Sequence, residues 1–90
     1  MAEVIWPDET LDRLYAIITY IRLFDPPAAA RMYDALTQLG DSLAEYPNRG
    51  RPGQHGTREL VTVPPYIMIY EVSGDRVTIL DILHVRQDRP

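Results

Sequence analysis

The segment 58–85, RELVTVPPYIMIYEVSGDRVTILDILHV, contains three apolar runs with short connections between them. The runs are Arg58–Val63, Tyr66–Val72 and a third that begins at Arg76 or Val77 and ends at Val85. Only Pro-Pro and Ser-Gly-Asp separate them, and connections this short allow only antiparallel neighbours. The segment therefore predicts a three-stranded antiparallel meander.

The third run has apolar side chains at both odd-numbered and even-numbered positions. Val77, Ile79, Leu83 and Val85 would lie on one face of the strand, and Leu80 and Ile82 on the other. A strand of this kind needs cover on both faces. Because the chain has only enough helix to cover one face, we expect another polypeptide to cover the second face or the edge of the helices.

Two amphipathic helices precede the meander, after a short strand candidate at Val4-Ile5-Trp6. The first begins at Pro7, has acidic residues in its first turn and runs to about Leu23. The second is capped by Asp25 and carries apolar residues at alternating spacings of three and four until Pro47 stops it. The short link between them predicts an antiparallel helix hairpin.

Four residues are assigned to packing. Trp6 is expected to anchor the core where the first helix begins. Gly40, inside the second helix, indicates a close approach of the two helices, because glycine otherwise costs about 1 kcal/mol there. Tyr66 and Tyr70 share one face of their strand, and we expect both hydroxyls at its rim.

Composition excludes several classes of site. The 90 residues form one domain, 1–90, and contain no cysteine, which rules out disulfides, cysteine-based zinc sites and a cysteine nucleophile. The two histidines lie far apart in the sequence without clustered carboxylates, so we expect no metal and no cofactor. No apolar run approaches the roughly 18 residues of a membrane helix. A cytoplasmic location is the expectation.

Charge is distributed unevenly along the chain. Residues 1–47 hold eight acidic residues and three arginines, a net charge of −5, whereas residues 48–90 hold six arginines and five acidic residues, a net charge of +1. All nine basic residues are arginine. Overall acidity argues against a strong electrostatic grip on nucleic acid, so we expect no direct sequence-specific binding of DNA or RNA.

A basic loop, Asn48–Thr57, precedes the meander and carries Arg49, Arg51 and His55. Its glycines recur every three residues, but no strand leads from them into a helix, which excludes a phosphate-binding loop. Function concentrates in such loops, although solvated loop charges are also common.

The order of elements and four motifs resemble the ParE branch of the RelE/ParE toxin superfamily. The motifs are Gly50-Arg51-Pro52-Gly53, Gly56-Thr57-Arg58-Glu59-Leu60-Val61, Pro65-Tyr66-Ile67 and Ile79-Leu80-Asp81-Ile82-Leu83-His84. The resemblance implies an α+β fold in which a short N-terminal strand and a helix hairpin pack on a twisted antiparallel sheet. It also implies the toxin of a type II toxin–antitoxin module, wrapped by a co-encoded antitoxin.

The superfamily's two branches imply different activities. ParE-like members are associated with inhibition of DNA gyrase, and RelE-like members cleave messenger RNA on the ribosome, typically with Lys and Arg and a Tyr or His near the C-terminus. This chain has no lysine, carries Ile67 where some nucleolytic relatives have arginine, and follows His84 with Val85. We therefore expect a non-enzymatic gyrase inhibitor. The alternatives are a ribosome-dependent endoribonuclease that uses Arg58, His84 and Arg86, and a non-toxic antitoxin-binding module.

Two sets of site residues follow from the resemblance. The residues expected to contact the target are Arg49, Arg51, His55, Arg58, His84 and Arg86. The residues expected to contact the antitoxin are Leu14, Ile17, Ile21, Met68 and Tyr70. Two of these have a structural alternative: Arg58 as an ion-pair partner beside Glu59, and His84 as a hydrogen-bonded residue at the edge of the core.

Overall fold

The computed structural model describes residues 1–86. These residues form five strands, two α-helices and two 3-10 turns. In chain order the elements are β1 (Glu3–Ile5), α1 (Asp8–Arg22), α2 (Pro26–Asp41), a 3-10 turn (Ser42–Ala44), β2 (Arg51–Pro52), a 3-10 turn (Gln54–Gly56), β3 (Arg58–Val63), β4 (Tyr66–Ser73) and β5 (Arg76–His84). Neither helix is long and apolar enough to cross a membrane.

The five strands form one sheet in the order β1-β5-β4-β3-β2. β3, β4 and β5 are the predicted antiparallel meander, so this part of the prediction is confirmed. β1 pairs with β5 in parallel and makes the sheet mixed rather than purely antiparallel. β2, which lies inside the basic loop and pairs with β3, was not predicted. The parallel pairing of β1 with β5 joins segments more than 70 residues apart, which leave no local pattern in the sequence. β2 has only two residues and pairs with β3 a few residues further along the chain, too short a run for a periodic pattern.

Both helices begin about where they were predicted to begin, and α2 ends earlier than predicted. The Oδ1 atom of Asp25 accepts a hydrogen bond of 3.0 Å from the backbone N–H of Ala28, the predicted cap. α1 begins one residue after Pro7 and ends at Arg22. α2 ends at Asp41, well before Pro47, because the chain tightens into the 3-10 turn that begins at Ser42.

The core lies between the helix hairpin and one face of the sheet. Alternation along the strands brings every second side chain to that face. Its buried members include Leu14 and Ile18 from α1, Leu36 and Leu39 from α2, and Leu60, Met68, Tyr70, Val77, Ile79 and Ile82 from the sheet.

Gly40 permits a close approach, but not the one predicted. A Cβ atom at Gly40 would overlap the Trp6 ring and lie 2.8 Å from the Cδ1 atom of Ile79. α2 therefore approaches β1 and β5 at this point rather than α1. Trp6 is half-buried against the core, and its Nε1 atom donates to Oδ1 of Asp41 at 3.3 Å.

A β-bulge explains why β5 has apolar residues at both odd-numbered and even-numbered positions. Tyr70 pairs with Ile79 and Ile69 pairs with Asp81, so the register passes over Leu80. The extra residue returns Ile82 to the helix-covered face, where it is fully buried. Leu80 remains 38% exposed. The same shift puts Leu83, which pairs with Ile67, on the uncovered face of the sheet. The cover of that face by another polypeptide stays a prediction.

α1 supports this bulge from its first turn. Thr10 is buried, and its Oγ1 atom lies 2.6 Å from the carbonyl oxygen of Ile79 and 3.1 Å from that of Leu80. A buried hydroxyl needs such partners. The start of α1 is therefore fixed against the edge of β5.

Candidate functional site

The basic loop is fastened to the sheet through one tyrosine. The Tyr70 hydroxyl is in a buried side chain, accepts a hydrogen bond of 2.9 Å from the backbone N–H of Gly50 and donates one of 2.8 Å to the carbonyl oxygen of Pro47. The prediction that this hydroxyl lies at the rim is wrong, because the loop folds back over it. Gly50 is buried at the contact, and a Cβ atom there would lie 2.7 Å from the hydroxyl oxygen.

Arg58 supports the same loop from β3. Its Nη1 atom donates to the carbonyl oxygen of Gly50 at 2.7 Å and to that of Asn48 at 3.4 Å. The expected structural partner, Glu59, is bound by a different arginine. The Nε and Nη2 atoms of Arg51 lie 3.0 Å and 2.9 Å from Oε1 of Glu59.

Three predicted target residues lie exposed on this loop. Arg49 is exposed and donates from Nη1 to the Ser42 hydroxyl oxygen at 2.7 Å. Arg51 keeps 57% of its side-chain surface exposed in spite of its ion pair. His55 is exposed in the 3-10 turn and adopts a left-handed backbone conformation with a φ of 57°. We call these three exposed residues, Arg49, Arg51 and His55, the basic surface of the loop.

His84 and Arg86 lie at the opposite end of the sheet. The His84 ring meets the Tyr66 ring edge-on, with centroids 5.6 Å apart and an angle of 85° between planes. Nδ1 of His84 accepts a hydrogen bond of 3.2 Å from the backbone N–H of Arg86. Burial, and secondarily the neighbouring Tyr20, raises the pKa of the Tyr66 hydroxyl. His84 therefore has partners at the core edge, which agrees with its structural alternative.

The six predicted target residues form two groups instead of one site. Arg58 pairs across β3–β4 with Tyr70, and His84 pairs across β4–β5 with Tyr66. Four residues along β4 and two strand spacings put the Cα atoms of Arg58 and His84 about 16 Å apart. General acid–base groups must reach one substrate phosphate together. His84 and Arg86 are therefore in contact, whereas the Arg58 guanidinium is bonded to the Gly50 and Asn48 carbonyls, and the ribonuclease set stays an alternative.

The cleft beside His84, which we call the α1 cleft, has a volume of about 320 Å³. Its lining residues are Arg13, Ala16, Ile17, Tyr20, Tyr66, Ile82 and His84. Arg13, in the wall of the cleft, forms an ion pair with Asp81, with Nε 3.3 Å from Oδ1. The cleft thus combines apolar and aromatic side chains with a paired cation.

The predicted antitoxin residues divide by burial. Leu14, Met68 and Tyr70 are at most 1% exposed and pack in the core, so they present no surface to a partner. Their helical and strand periodicity was read correctly as an apolar face, but that face is the one covered within the chain. Ile17 and Ile21 are half-buried at the margin of the core. They stay predictions.

An apolar patch at the hairpin tip was not predicted from the sequence. Tyr20 and Phe24 are 63% and 74% exposed and meet with ring centroids 5.3 Å apart, and Leu23 beside them is 75% exposed. Apolar periodicity along the first helix would also include Phe24 in the buried stripe. It escapes burial because it lies beyond the end of α1, where the helical period no longer applies.

A second groove lies at the β3–β4 end of the sheet and has a volume of about 530 Å³. It is lined by Arg51, Val61, Pro64, Pro65, Tyr66, Ile67 and Val85. Within residues 1–86, no three His, Asp or Glu side chains come together in a way that would hold a metal ion. The expected absence of a metal and a cofactor stays a prediction.

Comparison with known proteins gives consistent matches over nearly the whole chain. A family model described as the ParE toxin of type II toxin–antitoxin system, parDE, matches residues 4–89. Toxin RelE2 of Caulobacter vibrioides is 49% identical over 84 residues, which is 93% of this chain and 96% of that protein. The Y4kP protein of Sinorhizobium fredii is 46% identical over 87 residues, 94% of this chain and 90% of that protein.

One solved structure shares the fold. It is described as a chromosomal ParDE toxin–antitoxin system from P. aeruginosa and matches with a TM-score of 0.80, covering 93% of this chain and 96% of that one. Sequence identity is 23%, so this similarity establishes the arrangement of helices and strands only.

Proposed function

The chain belongs to the ParE toxin family of type II toxin–antitoxin systems, and we propose that it acts by inhibiting DNA gyrase and is neutralised by a cognate antitoxin. The gyrase target follows from the ParE branch that the motifs resemble. The antitoxin partner is supported by the ParDE system with the same fold. The proposal requires a cytoplasmic location.

The separation of Arg58 from His84 is the observation that carries the choice of a non-enzymatic mechanism. Cleavage of RNA needs a base, an acid and cations around one phosphate. Arg58 instead donates to two loop carbonyls. His84, whose Cα atom lies about 16 Å from that of Arg58, accepts from the backbone N–H of Arg86. The chain has no lysine to replace either group. Inhibition by binding requires no such constellation.

The basic surface of Arg49, Arg51 and His55 is the proposed contact with gyrase. These side chains are exposed, while the loop that carries them is held firmly by its backbone. A fixed loop loses little conformational entropy on binding, so its contacts contribute more to affinity. Arg58 takes part by holding the loop.

The α1 cleft is the proposed contact with the antitoxin. Ile17 lines it, Ile21 follows one helical turn later, and Tyr20 beside them is largely exposed. An amphipathic antitoxin segment would place apolar side chains against this stripe. The loop that carries the basic surface is bonded to Tyr70, and the α1 cleft is lined by Tyr66, four residues away on β4. Arg51 also lines the groove that Tyr66 lines.

The direct test of the target is a supercoiling assay with purified gyrase, with DNA and protein synthesis followed by pulse labelling after induction. We expect inhibition of supercoiling, and DNA synthesis should stop while translation continues. Ribosome-dependent cleavage of messenger RNA is the alternative, because a 49% identical relative carries the name Toxin RelE2. An immediate stop in translation with unaffected supercoiling would replace the gyrase proposal with it.

The two surfaces can be tested separately with matched variants. Arg51→Ala should weaken gyrase inhibition, whereas Arg76→Ala should not, because Arg76 is equally exposed but pairs with Glu3 at the far edge of the sheet. Ile17→Glu should weaken capture by the co-expressed antitoxin, whereas Val61→Glu, at an exposed position on β3, should not. If Arg76→Ala or Val61→Glu is as damaging as its counterpart, the corresponding surface is assigned incorrectly.

A further inference from the structure

The Tyr70 hydroxyl has a role that core packing does not explain. The ring lies in the core, where a phenylalanine ring would fill the same space. Both hydrogen bonds of the hydroxyl go to the loop, to Pro47 and Gly50. A buried hydroxyl costs free energy unless its partners are in place. The hydroxyl therefore stabilises one loop conformation instead of the core itself.

Arg49 is held through its side chain by Ser42, and Arg51 by β2–β3 pairing and by Glu59, but the backbone between Pro47 and Gly50 has few other contacts. Between Pro47 and Gly50 the chain is neither helix nor strand. Asn48 and Arg49 are exposed, and the backbone N–H of Arg49 donates to Tyr46 at 3.2 Å in a single turn. Hydrogen bonds from the sheet thus supply most of the restraint on this segment. The donors and acceptors involved are the Tyr70 hydroxyl and the Arg58 guanidinium.

Gly50 fits this arrangement closely. A Cβ atom there would lie 2.7 Å from the Tyr70 hydroxyl oxygen and 2.9 Å from the carbonyl oxygen of Glu59. Glycine permits this approach because any larger residue would place its Cβ atom against the hydroxyl oxygen. Arg49 and Arg51 are its immediate neighbours, so their positions follow the position of Gly50.

We propose that Tyr70, supported by Arg58, is a positioning residue for the target contact: it fixes Pro47–Arg51 so that Arg49 and Arg51 face the target together. This inference rests on the proposed contact between the basic surface and the target. Tyr70 itself touches neither the target nor the antitoxin. Its effect on toxicity passes through the two arginines.

The decisive variant is Tyr70→Phe, with Tyr33→Phe as the matched control. Tyr33 lies on α2, away from the loop, and is partly exposed. Hydrogen–deuterium exchange of the purified chain measures how well the loop amides are protected. Loss of the hydroxyl should accelerate exchange of the Gly50 amide about tenfold, while amides in the middle of β4 and β5 keep their protection. Equal acceleration at all of these positions would mean a general loss of stability and would overturn the positioning role.

Growth arrest measures the consequence for toxicity without assuming the identity of the target. Normalised to soluble protein, Tyr70→Phe should need about ten times the wild-type amount for half-maximal arrest, with antitoxin rescue unchanged. In an Arg49→Ala background the added loss should be smaller, because one of the two positioned arginines is already absent. An undiminished loss in that background, or wild-type potency of Tyr70→Phe, would overturn the proposal.

A second variant covers the case in which Tyr70→Phe does not fold. Arg58→Met releases the Gly50 and Asn48 carbonyls, and Arg76→Met controls for the lost charge. Arg58→Met should raise the amount of protein needed for growth arrest, and Arg76→Met should not. Equal effects would overturn the positioning role.

Failure of the gyrase target can be distinguished from failure of the positioning role, because a wild-type chain that arrests growth without inhibiting supercoiling disproves gyrase alone. A wild-type chain that arrests no growth disproves the target contact and the positioning of it together.

Discussion

The two tyrosines of β4 lie on the same face of one strand, four residues apart, and have opposite surroundings. Tyr70 is completely buried, and both hydrogen bonds of its hydroxyl go to a loop. Tyr66 is half-buried, meets His84 edge-on and lines the α1 cleft. Residue type and strand face are therefore not enough to determine what a side chain does. The segment that folds over each end of the strand makes the difference.

The same contrast separates the two proposed surfaces. At the Tyr70 end, buried hydrogen bonds fix a basic loop whose charges point to solvent. At the Tyr66 end, an open cleft exposes apolar and aromatic side chains beside α1. A rigid charged surface suits selective recognition of a target, and an apolar cleft suits an amphipathic partner segment.

The largest difference between the two ends should be in stability. Tyr70→Ala should lower the free energy of unfolding by about 4 kcal/mol, because it removes a buried ring and leaves two loop groups without partners. Tyr66→Ala should lower it by about 1.5 kcal/mol, since that ring is only partly buried. Urea denaturation of both variants gives the comparison. Equal losses would mean that the ends of β4 are equally well packed.

A smaller effect should come from Gly50. Gly50→Ala should destabilise the chain by about 2 kcal/mol, because the new methyl group overlaps the Tyr70 hydroxyl. In a Tyr70→Phe background the cost should fall, since one overlapping atom is gone. Gly74→Ala is the reference, because Gly74 has a φ of 61° and open space around it, so its cost is purely conformational. A cost at Gly50 that is identical in both backgrounds would argue against a close contact with the hydroxyl.

The smallest effect should be a pH dependence at the Tyr66 end. Burial raises the pKa of Tyr66 in the folded chain above its ordinary value of 10.0. The unfolded chain therefore loses this proton first, so the stability contributed by Tyr66 is complete below pH 10.0 and is lost as pH rises through the folded pKa. Tyr66→Phe should decline less over this alkaline range than the wild type, as followed by urea denaturation. If the free energies of unfolding of the two proteins fall equally with pH, the pKa of Tyr66 is not raised by folding.

Much of the fold was predictable because its signals are local. The Pro-Pro and Ser-Gly-Asp connections specify the meander, Asp25 specifies the start of α2, and the apolar period specifies the buried faces of both helices. The site was less predictable. The exposed arginines of the loop follow from its composition, but Leu14, Met68 and Tyr70 were assigned to a partner surface that is the core itself. Periodicity identifies an apolar face without saying whether the chain or a partner covers it.

The amino-acid sequence alone determined the two helices, the antiparallel meander of β3, β4 and β5, and the resemblance to the family, because turn residues, caps and periodic apolar positions act over a few residues. Tertiary structure was needed to pair β1 in parallel with β5, to bring Gly40 against Trp6 and Ile79, and to direct the Tyr70 hydroxyl to Pro47 and Gly50. These contacts join segments from 20 to more than 70 residues apart. They form only when the helix hairpin closes over the sheet, since burial creates the need for each specific partner.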